Sequence, residues 1–595
     1  MPRNLENRVR EKKYILFVFF LVFSVFQIVT ANSMQKDEKS KREQSATPWW
    51  KHALVYQIYP RSFMDSNGDG IGDLKGIISK LDYLKNLGID AVWLNPIYAS
   101  PNDDNGYDIS DYRKIMTEFG TMTNFDSLLV GLHKRGIRLI MDLVVNHSSD
   151  EHYWFKQSRS SRTNSYRDYY HWWPAEKGKP TPRWSSFDVN HDAWKYDSLT
   201  NAYYLHYFSQ KQPDLNWENP KVRQEVYEIM KFWIDKGVDG FRMDAFQFVA
   251  KDITFPEFPS GYEKDIIKYY GMGPHIHDYL QEMNRVVLQK NPNIMTVAEG
   301  AGSTLNDAHD LVDASRHELN LAYHFEAMDI GTDPVKKYSV KQFKDIFSKW
   351  DSAFAQNGWL AIFLANHDQP RMVSKYGNDS PAFREASSKM LTTFILTMRG
   401  TPFYYNGDEL GMKNISFVDI NDYKDIAAIN GYKNVLKTGG DVEAYMSSLR
   451  FTSRDNARTP IQWNTSNAAG FTSGIPWIKV NPDFYSVNAE NEEKDPNSCL
   501  NYFRKAVKLR KTTPALLDGS YRPIEVSNNN IYAFTRSFKN QVVCIVLNFS
   551  SNEQTVNFPF RIGNNSILLN NYTSLNIKTN SIILQPCQAI VFKIK

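Results

Sequence analysis

GFRMDA, Gly240 to Ala245, is an apolar strand-like run that ends in a carboxylate, and it decides the fold because it recurs in kind. DLVVNH (Asp142 to His147), VAEG (Val297 to Gly300) and NHDQPR (Asn366 to Arg371) are also short apolar runs ending in carboxylate, His or Arg. YQIYPRSF (Tyr56 to Phe63) precedes them. Charged groups at the C-terminal ends of successive strands are what a (β/α)₈ barrel needs to build a site.

The segments between these runs support a barrel. Ala53 to Tyr59 reads as a strand, and Ile77 to Leu87 as a helix stopped by Gly88. Ala91 to Leu94, a helix from Phe125 to Lys134 and a strand from Arg138 to Val145 follow. Such alternation implies a parallel sheet. It breaks after Ser148 in a stretch rich in Trp, Tyr, Ser, Arg and Pro, too long for a βα loop. Within it, Trp172 and Trp173 read as packing residues of the insertion. The rhythm resumes with a helix over 221–236 and strands at 238–243, 294–298, 360–364 and 401–405. After the helix Leu500 to Lys511, the pattern switches to period-2 strands.

The expected architecture is α/β: a (β/α)₈ TIM barrel, an inserted subdomain after the third strand and a C-terminal antiparallel β domain. Its barrel spans 48–147 and 213–513, with the subdomain over 148–212. A second insertion falls at about 412–464, and a β-sandwich occupies 514–595. Residues 1–31 read as a signal peptide or signal anchor, with a basic start, an apolar run from Tyr14 to Val29 and a small-residue site at Thr30–Asn32. Residues 32–47 read as a flexible leader. Secretion is the expectation. Type II membrane anchoring through the apolar segment is the alternative.

The net charge of +4 and the absence of a Lys/Arg-rich run argue against a nucleic-acid partner. Aromatic residues make up 14% of the chain, which suits either a large core or a cleft where ring faces meet sugars. Only three cysteines occur, so disulfides are not the basis of stability. Cys544 and Cys587 lie in strand-like runs and form the candidate pair; Cys499 is then free and buried. Sequons at Asn378, Asn414, Asn464, Asn548, Asn564 and Asn571 are N-glycosylation candidates, whereas that at Asn146 falls inside a site motif.

The five motifs resemble those of the α-amylase clan of retaining glycosidases, glycoside hydrolase family 13. QPDLNW (Gln212 to Trp217) and RDNARTPIQW (Arg454 to Trp463) resemble its oligo-1,6-glucosidase and α-glucosidase subgroup. The resemblance covers nearly all of 48–595. It implies Asp244 as nucleophile, Glu299 as general acid/base and Asp368 as the carboxylate that grips sugar hydroxyls. Arg242 would hold the nucleophile ionised, and Asp142 would hold the strand end through Arg242. His147 and His367 would donate to the sugar, Asp108 with Tyr107 would close the pocket behind it, and Arg454 would be either a pocket-floor contact or an ion pair of the insertion.

These residue types suit retaining hydrolysis, which needs two carboxyl groups about 5–5.5 Å apart, one ionised and one protonated. The substrate class implied is a small oligosaccharide or disaccharide: maltose, sucrose or short malto-oligosaccharides. In the subgroup, Val after the nucleophile accompanies α-1,6 preference; Ala245 stands there and disfavours isomaltase. The same site could pass glucose to a sugar, as a transglucosylase or sucrose isomerase does. A non-catalytic reading, the heavy chain of an amino-acid transporter, is disfavoured by the intact carboxylates.

DSNGDGIGD, Asp65 to Asp73, alternates oxygen donors at Asp65, Asn67, Asp69 and Asp73, which suits a hard cation such as Ca²⁺. Gly76 stands where an EF-hand would place its Glu. The resemblance implies one structural Ca²⁺ here, bound also by the Ile71 carbonyl.

Overall fold

The computed structural model describes residues 47–595 except 301, 303, 333–337, 356, 525–527, 564–565 and 595. The proposed signal segment and most of the leader lie outside these. Among the described residues no helix is long and apolar enough to cross a membrane.

Eight parallel strands form the barrel: β1 Val55–Ile58, β2 Ala91–Leu94, β3 Arg138–Val144, β4 Gly240–Asp244, β5 Met295–Ala298, β6 Leu321–Ala322, β7 Ala361–Ile362 and β8 Thr401–Tyr405. Each pairs with its neighbours in chain order, and β8 returns to β1. A parallel bridge from Ala322 to Leu360 closes the ring between β6 and β7. The strands are mostly apolar because both faces are covered, as parallel sheets require, with Gln57, Asp142, Arg242 and Asp244 among the polar exceptions; β4 is buried at all five positions. Gly240 opens β4 because a Cβ there would come within 2.7 Å of the Met295 carbonyl oxygen.

The expected helix at 77–87 is two helices, Leu74–Ser79 and Leu81–Leu87, broken at Lys80. The first begins early because the Asp73 carboxylate caps it, accepting from the Gly76 amide. Strand β6 carries no sequence signal, being only two residues long.

The subdomain holds a three-stranded antiparallel sheet, Trp172–Pro174, Ala202–Leu205 and Trp194–Asp197. Trp172 donates to Ser158 and lies under the Arg167 guanidinium at 3.6 Å, while Trp173 donates to the Gly178 carbonyl. Both pack within the subdomain. The second insertion builds a small core from residues such as Phe417, Tyr423, Met446 and Leu449, with helices Ile426–Thr438 and Val442–Thr452. Sheets of five and three strands face each other in the C-terminal domain over a core that includes Cys544, Val546, Ile582 and Phe592.

The expected disulfide is absent: Cys499, Cys544 and Cys587 are all free and buried. Cys544 sits mid-strand opposite Thr535 and Phe592. Cys587 lies in a turn at φ 53° with its Sγ toward the Ser550 carbonyl.

Candidate active site

The strand register assembles the polar cluster. Arg242 lies two residues before Asp244, hence on the same face of β4, and faces Asp142 across the β3–β4 ladder. Its guanidinium donates to Asp142 Oδ1 at 2.7 Å and to Asp244 Oδ1. The other terminal nitrogen pairs with Glu299 Oε1 at the end of β5. Asp142 also accepts from Trp93 at 3.0 Å and Tyr107 at 3.1 Å, so it serves to hold the strand ends and Arg242. Glu299 Oε2 accepts the Ala245 amide at 2.8 Å.

Asp368 meets two guanidiniums, Arg454 at 3.1 Å and Arg458 at 2.9 Å. His367 accepts at Nδ1 from Gln57 at 2.8 Å, which leaves the proton on Nε2. That nitrogen lies 3.1 Å from Asp368 Oδ2. Tyr107 stacks on His367 with ring centroids 5.2 Å apart and planes 6° apart. His147 Nε2 lies 3.2 Å from both the Tyr107 carbonyl oxygen and Gln212 Nε2.

Asp108 requires a correction. It is fully buried, and its oxygens accept from the amides of Asp103 and Asp104 and from the Ser100 hydroxyl. Those bonds fix the loop and leave nothing for a sugar. Asp104 instead faces the cluster, 3.2 Å from Arg454 and 3.2 Å from Gln212. Arg454 makes the ion pair of the insertion, with Asp425, and also reaches Asp104 and Asp368. Sequence reasoning missed Asp104 and Arg458: Arg458 lies inside RDNARTPIQW, four residues after Arg454, whereas Asp104 stands three residues before Tyr107 and outside every motif singled out.

Burial pushes the carboxyls of Asp244, Glu299 and Asp142 above the usual carboxylate range, against the pull of Arg242. Arg242 was expected to hold Asp244 low, but one guanidinium is divided among three carboxylates. Their titrations are therefore coupled, and the shifts belong to the cluster as a whole. Asp368 differs: burial would raise it, but His367, Arg454 and Arg458 hold it well below the usual range. Burial lowers His147 to about 3 and keeps it neutral, and lifts Asp104 to about 6 and Asp108 to about 7. The Lys251 ammonium donates to Asn146 at 2.9 Å and the Phe248 carbonyl at 2.8 Å, and lies 3.3 Å from Asp214, tying together segments of the barrel.

The Asp65–Asp73 loop is a tight turn against residues 471–475. Asp65 accepts from the amides of Asn67, Gly68 and Gly70 and from the Thr472 hydroxyl at 2.5 Å. Asp73 accepts from Ser66 and Gly76. Asn67 and Asp69 meet at 3.0 Å. Among the described residues no group of three or more His, Cys, Asp or Glu side chains is gathered to hold a metal. An all-oxygen set with one amide and one carbonyl suits a hard cation by donor type, though here its carboxylates also serve as turn caps.

The catalytic-domain model of the α-amylase family matches residues 57–519. The chain belongs to that family of glycosidases and, within it, to the oligo-1,6-glucosidase and α-glucosidase subgroup. It is 49% identical over 562 residues to an oligo-1,6-glucosidase of Parageobacillus thermoglucosidasius, covering 92% of this chain and 99% of the relative. It is 48% identical over 557 residues to an oligo-1,6-glucosidase of Bacillus cereus, with the same two coverages. Among solved structures it resembles a trehalulose synthase at a TM-score of 0.89 and 45% identity, covering 92% of this chain and all of the other.

Proposed function

We propose that this enzyme removes a terminal α-glucosyl unit from a small oligosaccharide by double displacement. Asp244 attacks the anomeric carbon while Glu299 gives its proton to the glycosidic oxygen. Water then attacks the glucosyl–Asp244 ester, losing its proton to Glu299, and glucose leaves with its configuration retained. Asp368, His367, His147, Arg454 and Tyr107, with Asp104 in place of Asp108, would hold the glucosyl ring. The observation that carries this reading is the single Arg242 guanidinium in contact with carboxylates at the ends of adjacent strands β4 and β5.

The relatives' names favour α-1,6 bonds, whereas Ala245 favours α-1,4 or sucrose-type bonds. The trehalulose synthase likeness supports a second reading, transfer of glucose to a sugar. Turnover of maltose, sucrose, isomaltose and trehalose, with products identified, separates these. No release of glucose or of an isomerised sugar from any of the four would overturn the assignment.

Two accessory readings accompany this one. One Ca²⁺ would be held by Asp65, Asn67, Asp69, Asp73 and the Ile71 carbonyl, stabilising the fold. Secretion would carry N-glycans at Asn464 and at Asn378, whose amide nitrogen donates to the exposed Ser551 hydroxyl at 2.8 Å and not to the backbone. In contrast, Asn414, Asn548 and Asn571 commit their amide nitrogens to backbone carbonyls, and Asn146 is buried. Asn564 lies outside the described residues.

A further inference from the structure

The subdomain loop 186–190 and the helix Ile426–Thr438 belong to different insertions, yet one face of the helix joins them. Asn430 donates to the Phe187 carbonyl at 2.8 Å across 243 residues of sequence. Asn434 donates to the Val189 carbonyl at 2.5 Å, and the Lys437 ammonium to the Asn190 side chain. Steps of four and three residues align these side chains along one side of the helix. The joint has little apolar content, since Ala428 is the helix's one buried residue. Hydrogen bonds at the water's edge form and break with little net free energy.

Both ends of this joint reach Arg454. Asp425, the N-cap of the helix, accepts from Arg454 Nε at 3.0 Å. The Phe187 ring lies 4.7 Å from the same guanidinium. Phe187 also packs on Phe208 at 5.6 Å, and Phe208 on His147 at 5.1 Å. Arg454 is thus held from one side by the helix and from the other by the loop that the helix grips. Its remaining nitrogens meet Asp104 and Asp368.

We propose that the helix and loop form a clasp that sets Arg454 in place, so that Phe187, Asn430 and Asn434 are positioning residues for the terminal glucosyl unit. They touch neither Asp244 nor Glu299 in this structure. Loosening the clasp weakens sugar binding and leaves the bond-breaking step alone. The inference rests on the glucosidase reading of the site.

The test compares wild type with Asn430→Ala/Asn434→Ala and with Phe187→Leu. Glucose affinity is measured by calorimetry, and kcat and KM are measured on p-nitrophenyl α-glucoside. In both variants, Kd for glucose and KM are expected to rise about 5–10-fold, with kcat within about twofold of wild type. Phe187→Tyr is expected to restore both. Unchanged glucose affinity, or a fall in kcat with no change in glucose affinity, would overturn the clasp. A wild type that binds glucose but releases none from any glucoside would instead fail the glucosidase reading, while calorimetry still decides the clasp.

Discussion

The backbone amide of Ala245, the residue after the proposed nucleophile, donates to Glu299 Oε2 at 2.8 Å. Ala245 is left-handed, at φ 45° and ψ 26°, and its side chain joins an apolar cluster with Tyr207 and Phe248. One residue therefore ties together the nucleophile strand, the acid/base and the subdomain. A β-branched side chain in this conformation is strained, at a cost of about 1–3 kcal/mol. Ala245→Val is expected to lower the melting temperature and to move preference toward isomaltose by roughly tenfold or more in relative kcat/KM. A parallel loss on maltose, sucrose and isomaltose would show that position 245 does not choose the linkage.

Asp244→Asn keeps the shape of the β4 terminus and removes the attacking charge. Its turnover is expected to drop by several orders of magnitude with little change in the thermal melt. Glu299→Gln is expected to be impaired on maltose far more than on an aryl glucoside, whose leaving group departs without a proton. The measurement is the ratio of the two rates. A ratio equal to that of wild type would remove Glu299 from the acid role.

Asp104 carries a stability cost linked to pH. Its folded-state pKa, about 6, stands above the unfolded carboxyl value of about 3.9. The native state therefore binds this proton more tightly than the unfolded chain does. That contribution is fully present below about pH 4 and is lost as pH rises through about 6, a swing on the order of 2–3 kcal/mol. Asp104→Asn is expected to melt like wild type at pH 4 and higher than wild type at pH 7.5, while its KM rises by about tenfold. Equal melting temperatures at both pH values would show that Asp104 is not the strained group.

Ca²⁺ removal is expected to lower the melting temperature by several degrees while leaving kcat on an aryl glucoside nearly unchanged. An ion bound only by the native state stabilises by mass action, about 2.7 kcal/mol at a hundredfold excess over Kd. Asp69→Ala should melt like the chelated wild type and fail to respond to chelator. A melt insensitive to both treatments would leave the loop as a turn capped by its own amides.

The barrel and its three central carboxylates were legible because each sits at or just beyond the end of an apolar run, where a strand opens into its loop. β6 was not legible: Leu321 and Ala322 are too few to show a period. Asp104 and Asp108 stand four residues apart in one polar run. Which of them turns its oxygens outward depends on the loop at Asn105 and Gly106, both left-handed, and not on residue type. Cys544 and Cys587 share a domain, but neither sulfur is disposed toward the other. Such outcomes depend on side-chain direction, which a linear pattern of apolar and polar residues does not carry.

The contact between Arg454 and Asp104 spans 350 residues, and that between Gln57 and His367 spans 310. Loop closures of this length come late and slowly during folding. A chain emerging from the ribosome therefore carries Asp244 and Glu299 long before the groups that orient Asp368 exist. The scaffold for breaking the bond is synthesised well ahead of the means to recognise the sugar. A fragment ending before Arg454 would be inert however well its strands had paired.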